Sequence, residues 1–189
     1  GEKIGGYLLG DIITENLLGT VYKGEQINLK REVSLYILSE KHSENSALTE
    51  VFMDEARKSA SLVHPNICRV FDVGVEEGRY YLVSEYIKGV SLEQRIKEAN
   101  LLDYDEAALF GAQIARTLSE SDKMAGLMHY GLSPSCIIDC GNGKSRVMFF
   151  GINRTLFPDG KSLVGLNEPV AIFYSPEQLA GKIVDHRSD

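Results

Sequence analysis

Few side chains in this sequence are suited to chemistry. Cys136 and Cys140 lie close together, with His129 just ahead of them. Thiolate and imidazole are zinc ligands, but a structural zinc site closes a tetrahedron of four donors. No second C-x-x-C and no H-x-x-x-H completes the set, so the competing reading is one of small, buried thiols. Cys68 brings the count to three, and three cannot all pair. That points to free thiols in a reducing compartment. Glu55 sits in a helical pattern, where a solvated carboxylate is the ordinary outcome. Thr155, Ser162 and Tyr174 are either modification sites or ordinary hydroxyls of a loop-rich stretch.

The elements that must position these groups fall into two halves. Strands are expected at Gly6 to Thr14, Thr20 to Asn28 and Glu32 to Ser39. In the last, Val33, Leu35 and Ile37 alternate with Ser34, Tyr36 and Leu38, which places Ser34 and Tyr36 on one face. A polar loop from Glu40 to Asn45 leads into a helix on which Phe52, Ala56, Ala60 and Val63 recur, and His64-Pro65-Asn66 stops it. Two more strands, Cys68 to Val75 and Arg79 to Tyr86, join through Glu76-Glu77-Gly78, and Ile87-Lys88-Gly89 reads as a linker. Ser91 and Gln94 form a capping box for a helix from Leu92 to Ala99. A longer helix runs from Tyr104 to Met124, with Phe110, Ile114 and Leu118 on one side. Short strands flank Gly141-Asn142-Gly143, and Ile152 to Asp189 reads as mostly loop. Strands first and helices second make an α+β chain with two lobes, residues 1–88 and 89–189.

Composition narrows the class. The hydrophobic share is 43%, ordinary for a packed core. A net charge of −7 argues against nucleic-acid and anionic-membrane partners, which need a basic footprint. No apolar run is long enough to span a bilayer, and the N-terminus lacks a signal-peptide core, so a cytoplasmic setting is expected.

His129-Tyr130-Gly131-Leu132-Ser133-Pro134-Ser135-Cys136-Ile137-Ile138 resembles the protein kinase catalytic loop, H-R-D-L-K-P-x-N-I-L. Phe52-Met53-Asp54-Glu55-Ala56, His64-Pro65-Asn66-Ile67 and Tyr81-Leu82-Val83-Ser84-Glu85-Tyr86 resemble the bacterial serine/threonine kinase pattern. Phe149-Phe150-Gly151 resembles D-F-G, and Ser175-Pro176-Glu177-Gln178-Leu179 resembles the motif that closes an activation segment. Asp185 to Asp189 looks like the start of the next large helix. The resemblance implies a bilobal protein-kinase-like fold, with an antiparallel N-lobe sheet, one N-lobe helix and a partial helical C-lobe. It also implies that the chain is cut after the activation segment or has its C-lobe floor supplied by something else. A missing floor would leave apolar residues of the long helix as an interface.

Against the family pattern, Gly131 replaces the proton-accepting Asp, Ser133 the phosphate-contacting Lys, and Cys136 and Phe149 the two magnesium ligands. Tyr36 stands where V-A-I-K would place its lysine, and its ring is expected to reach into nucleotide space. Of three loop glycines only Gly19 remains, in Thr14-Glu15-Asn16-Leu17-Leu18-Gly19-Thr20-Val21. Tyr130 replaces the arginine that reads a phosphorylated activation loop. Glu55 and His129 are retained. His129, Phe150, Val70 and Ser59 match the column that links the lobes, and Val21, Ser34 and Ile138 match the column that adenine completes, with Ser84 as gatekeeper. If nucleotide binds, Gly19, Val21, Ser34, Ser84, Glu85, Ile87 and Ile138 are the positions expected to hold it. The expectation from these replacements is an inactive, pseudokinase-like module, with no ATP, magnesium or other metal and with a protein partner. The alternative is a weak or divergent serine/threonine kinase, or a nucleotide sensor, that still binds ATP through the backbone of Glu85-Tyr86-Ile87. A third class, another activity in the same place, would need a convergent polar set that the sequence does not offer.

Overall fold

The structure is a computed structural model that describes residues 1–98, 102–156 and 169–189, without the side chains of residues 169 and 170. The chain divides into two compact units, residues 1–60 with 69–86 and residues 61–68 with 87–189.

The first unit is an antiparallel sheet of six strands: β1 (Lys3–Ile4), β2 (Tyr7–Glu15), β3 (Gly19–Gln26), β4 (Arg31–Leu38), β5 (Val70–Glu76) and β6 (Arg79–Glu85). Their order is β1-β2-β3-β4-β6-β5. β4 lies between β3 and β6, so Val33, Ser34, Leu35 and Tyr36 are all buried. Val33 and Leu35 pack with Ile4, Tyr7, Tyr81 and Val83. Tyr36, on the opposite face by strand alternation, stacks on Phe52.

A short helix, α1 (Glu40–Ser43), occupies what the sequence suggested was loop, and α2 (Ser46–Ser61) follows it. Asn45 Oδ1 accepts the Leu48 amide and closes the start of α2. α2 buries Leu48, Thr49, Phe52, Glu55, Ala56 and Ser59. Two residues expected on its apolar stripe are not there: Ala60 is exposed and Val63, past the helix end, is 64% exposed. The buried face instead continues from Phe52 through Glu55 and Ser59, whose polarity disguised it. That burial also corrects the solvated reading of Glu55, which is 2% exposed and 3.0 Å from Lys58 Nζ.

The second unit holds β7 (Val90–Ser91), α3 (Leu92–Lys97), α4 (Tyr104–Ala125), β8 (Ile137–Asp139), β9 (Ser145–Val147) and α5 (Pro176–Leu179). Ser91 Oγ accepts the Gln94 amide at 3.1 Å and caps α3; Ala99, at the expected end of that helix, lies outside the described residues. Asp103 caps α4, and Gly126, at φ 60°, ends it in the left-handed conformation that glycine adopts without strain. Ile114 of α4 packs against both cores of this unit, one around Leu62, Ile67, Leu127, Val147 and Phe150, the other around Leu92, Phe110 and Ile137. Cys68 does not begin β5. Its amide donates to Val147 O at 2.9 Å and Val147 N donates to Asn66 O at 2.7 Å, so residues 66–68 pair with β9. The stretch read as loop holds short 3-10 turns at Ile152–Leu156 and His186–Ser188, besides α5. Among the described residues no helix is long and apolar enough to cross a membrane.

Candidate functional site

The turn between β2 and β3 is organised by one side chain. Asn16 Oδ1 accepts the amides of Leu18 at 3.0 Å and Gly19 at 3.1 Å. It also accepts the Tyr36 hydroxyl at 2.8 Å. Asn16 N donates to Gly19 O, and Leu18 O accepts from Ser39 N, so both ends of the turn are tied down. Gly19 has a packing reason to be glycine: a Cβ there would lie 2.1 Å from Ile37 O.

Tyr36 does not hang free in space for a nucleotide. It is 2% exposed, with its ring stacked on Phe52 at 6.2 Å between centroids. Val21 pairs with Tyr36 across β3 and β4, and Ser34 pairs with Ser84 across β4 and β6. Ser34 is buried and Ser84 half-buried. The Glu85 amide, at the end of β6, donates to Arg69 O at 2.9 Å.

In the second unit, the loop from His129 to Ile138 is held by groups remote in sequence. Asp189 accepts the His129 amide at 2.5 Å and the Tyr130 amide at 2.7 Å. Gln178 Nε2 donates to Tyr130 O at 3.0 Å, while its Oε1 accepts the Ser175 amide in a capping box. Tyr130 sits at φ 66°, a left-handed conformation that costs a bulky residue roughly 1–3 kcal/mol. The three bonds around it offset that strain. His129 is fully buried, its Nε2 donates to Met148 O at 2.7 Å, and its ring meets Phe150 edge-on at 5.3 Å.

Within this loop the replaced residues come together. Cys136 Sγ lies 3.7 Å from Gly131 O and 3.5 Å from Ser133 Oγ. Ser133 Oγ is 2.8 Å from Ser135 Oγ. A Cβ on Gly131 would lie 3.1 Å from Asn153 Nδ2, so the Asn153 carboxamide borders the space a longer side chain would enter. Asn153 Nδ2 is also 3.5 Å from His129 Nδ1. Burial alone pushes the Cys136 thiol up, but His129 and the hydroxyls of Ser133 and Ser135 outweigh it and leave the thiol below its ordinary range. For His129, burial pushes down and the contact with Cys136 prevails, leaving the imidazole raised. Phe149, at φ 65°, follows Met148, whose amide donates to Cys136 O. Ile138 is buried in β8 opposite Arg146, and Ile87 is half-buried.

Magnesium, which the kinase resemblance implies, prefers carboxylate and water oxygen. The side chains at the two ligand positions are a thiol directed at Ser133 and Gly131 O, and a phenyl ring. They do not fit that ion. Among the described residues no three His, Cys, Asp or Glu side chains gather into a metal-holding group. Cys140 is exposed, so the buried-thiol reading holds for Cys68 and Cys136 alone. Two candidate modification sites are closed off: Thr155 is 1% exposed with its hydroxyl on Ile152 O, and Tyr174 is buried. Ser162 lies outside the described residues.

Residues 10–189 match the protein kinase domain family. The chain belongs to that family. The probable serine/threonine-protein kinase CPE1738 of Clostridium perfringens is 32% identical over 185 residues, which cover 97% of this kinase domain and 27% of that protein. Serine/threonine-protein kinase PrkC of Bacillus subtilis is 30% identical over 195 residues, covering 100% of this chain and 29% of the relative. The PknI kinase domain of Mycobacterium tuberculosis superposes with a TM-score of 0.77 at 23% identity, over 100% of this chain and 71% of that one. That likeness shows the bilobal α+β protein kinase fold. The chain spans under a third of the length of these two curated relatives.

The kinship corrects one expectation. An inactive, non-enzymatic module was inferred from side chains counted one at a time, yet the match runs through nearly the whole chain and the relatives are named serine/threonine-protein kinases. The alternative, a weak or divergent kinase, accords better with it. Physically, phosphoryl transfer rests on positioning and on electrostatics spread over many groups. A tally of lost side chains does not register a backbone frame held from a distance. Asp189 and Gln178 lay inside quoted motifs, but nothing in the sequence tied them to Tyr130. Asn16 carried a weak signal, since Asn ahead of Gly favours a turn closed by its own side chain. Asn153 carried none.

Proposed function

We propose that this kinase domain is a divergent serine/threonine kinase that binds ATP and transfers the terminal phosphoryl group slowly to a hydroxyl of a protein substrate. The observation that carries this reading is the anchored loop: Asp189 on the His129 and Tyr130 amides, Gln178 on Tyr130 O and His129 on Met148 O. A family frame is kept at the one place where an acceptor hydroxyl must be positioned. In the first unit, Gly19, Val21, Ser34 and Ser84, with the backbone of Glu85, supply the nucleotide contacts that the family pattern assigns.

Transfer is slow because Gly131 offers no base, and a positioned base is worth roughly 10²–10⁴ in rate. An odd count of three cysteines, which cannot all pair with one another, supports a reducing, cytoplasmic setting. A net charge of −7 favours neither nucleic acid nor anionic lipid as partner, which leaves a protein as the acceptor.

Incubation with terminally labelled ATP and a generic protein substrate tests the reading. Time-dependent label on serine or threonine is expected. Gly131→Asp should raise the rate by about 10²-fold, because it sets a carboxylate beside Asn153. Absence of label with both the unaltered chain and Gly131→Asp would overturn the proposal.

A further inference from the structure

Two departures from the kinase pattern that look unrelated in sequence meet in space. Asn16 lies in the turn after β2, and Tyr36 stands on β4 in place of a lysine. The Asn16 carboxamide oxygen receives three donors, the amides of Leu18 at 3.0 Å and Gly19 at 3.1 Å and the Tyr36 hydroxyl at 2.8 Å. An amide oxygen has two lone pairs, so three donors saturate it. Adjacent backbone N–H groups converging on one oxygen are the arrangement that elsewhere takes an oxygen of a phosphate. Here the chain supplies that oxygen itself. The far end is fixed as well, because the Tyr36 ring is buried against Phe52, which is 0% exposed on α2.

We propose that Asn16 and Tyr36 form a built-in latch, in which the carboxamide oxygen stands in for a phosphate oxygen and a polyphosphate binds only by displacing Asn16 from the Leu18 and Gly19 amides. This rests on the ATP-binding reading above and adds a control to it. Tyr36 acts through Asn16: its hydroxyl raises the cost of swinging the carboxamide away. Opening exchanges neutral hydrogen bonds for charge-assisted ones, so a polyphosphate can still win.

The test is a set of binding titrations on the full chain and on Asn16→Ala, Tyr36→Phe and the double variant, with ATP, adenosine and inorganic tripolyphosphate as probes. Amide exchange at Leu18 and Gly19 is followed without ligand. Asn16→Ala should speed exchange at both amides and tighten ATP and tripolyphosphate about fivefold to tenfold, leaving adenosine unchanged. Tyr36→Phe should give a smaller gain of the same kind, and the double variant no more than Asn16→Ala alone. If ATP binds the unaltered chain but Asn16→Ala binds it no tighter, the latch is wrong and the ATP reading survives. If neither ATP nor adenosine binds any protein, the ATP reading falls. Tripolyphosphate then decides the latch, with tighter binding to Asn16→Ala upholding it and equal binding overturning it.

Discussion

The turn at residues 14–20 and the loop at residues 129–138 both carry side chains foreign to the kinase pattern, and they are held in opposite ways. In the turn, the foreign side chains are themselves the support: Asn16 gathers Leu18, Gly19 and Tyr36 onto one oxygen. In the loop, the foreign residues Gly131, Ser133 and Cys136 contact one another, while Asp189 and Gln178 hold the backbone from far along the chain. The turn is held by a side chain of its own, and the loop by side chains from far along the chain. Replaced chemistry therefore says little about lost architecture. Where the anchors are remote, the side chains of the loop can drift while its path stays fixed.

The sharpest break of this contrast is at Gly19. Gly19→Ala places a methyl 2.1 Å from Ile37 O, where only backbone can yield. A loss of about 3 kcal/mol is expected in chemical denaturation; a loss below ~1 kcal/mol would mean that β3 and β4 separate there easily. Next comes the remote anchor. Asp189→Ala leaves two amides without this acceptor and takes away two of the three bonds that hold the strained Tyr130. About 2–3 kcal/mol should go, read as a lower denaturation midpoint and as faster amide exchange at His129 and Tyr130. Unchanged exchange there would show that the loop holds its own shape. Tyr36→Phe removes one hydroxyl donor while keeping the stack on Phe52, so only about 1 kcal/mol is expected.

The smallest effect at neutral pH, felt only in alkali, is a pH dependence shared by both units. Burial, then the hydrogen bond to Asp72, pushes the Tyr7 phenol up to about 12. Burial, then the charge of Cys136, does the same to Tyr174. A raised phenol favours the neutral form in the folded state. Its contribution is therefore intact below the ordinary value near 10 and fades as pH climbs through about 12. Tyr7→Phe and Tyr174→Phe should each flatten the fall in stability between pH 10 and 12. A fall of unchanged steepness in both variants would place the alkaline sensitivity elsewhere.

Much of the scaffold was legible because its signals are local. Alternation along Val33 to Leu38 gave the two faces of β4, Ser91 with Gln94 marked the start of α3, and Gly141-Asn142-Gly143 marked the hairpin between β8 and β9. The buried face of α2 was less legible, because Glu55 and Ser59 sit in it and period-based reading weights apolar residues. The start of β5 was misplaced, since the pairing of residues 66–68 with β9 depends on a strand far along the chain. For the candidate site, residue types at motif positions were readable and their partners were not. Nothing local links Asp189 to Tyr130, Asn153 to Gly131, or Asn16 to Tyr36. Those links set whether a replaced residue leaves a gap or fills one, which is why inactivity was the wrong conclusion to draw from a list of replacements.

Melting temperature against ATP concentration decides whether this domain holds the nucleotide proposed for it. A ligand that binds only the folded state raises the melting temperature in a saturable, concentration-dependent way. Such a rise is expected with ATP, equal in magnesium and in chelator because Cys136 and Phe149 do not fit the ion. A melting temperature that stays flat up to millimolar ATP in both conditions would contradict the proposal.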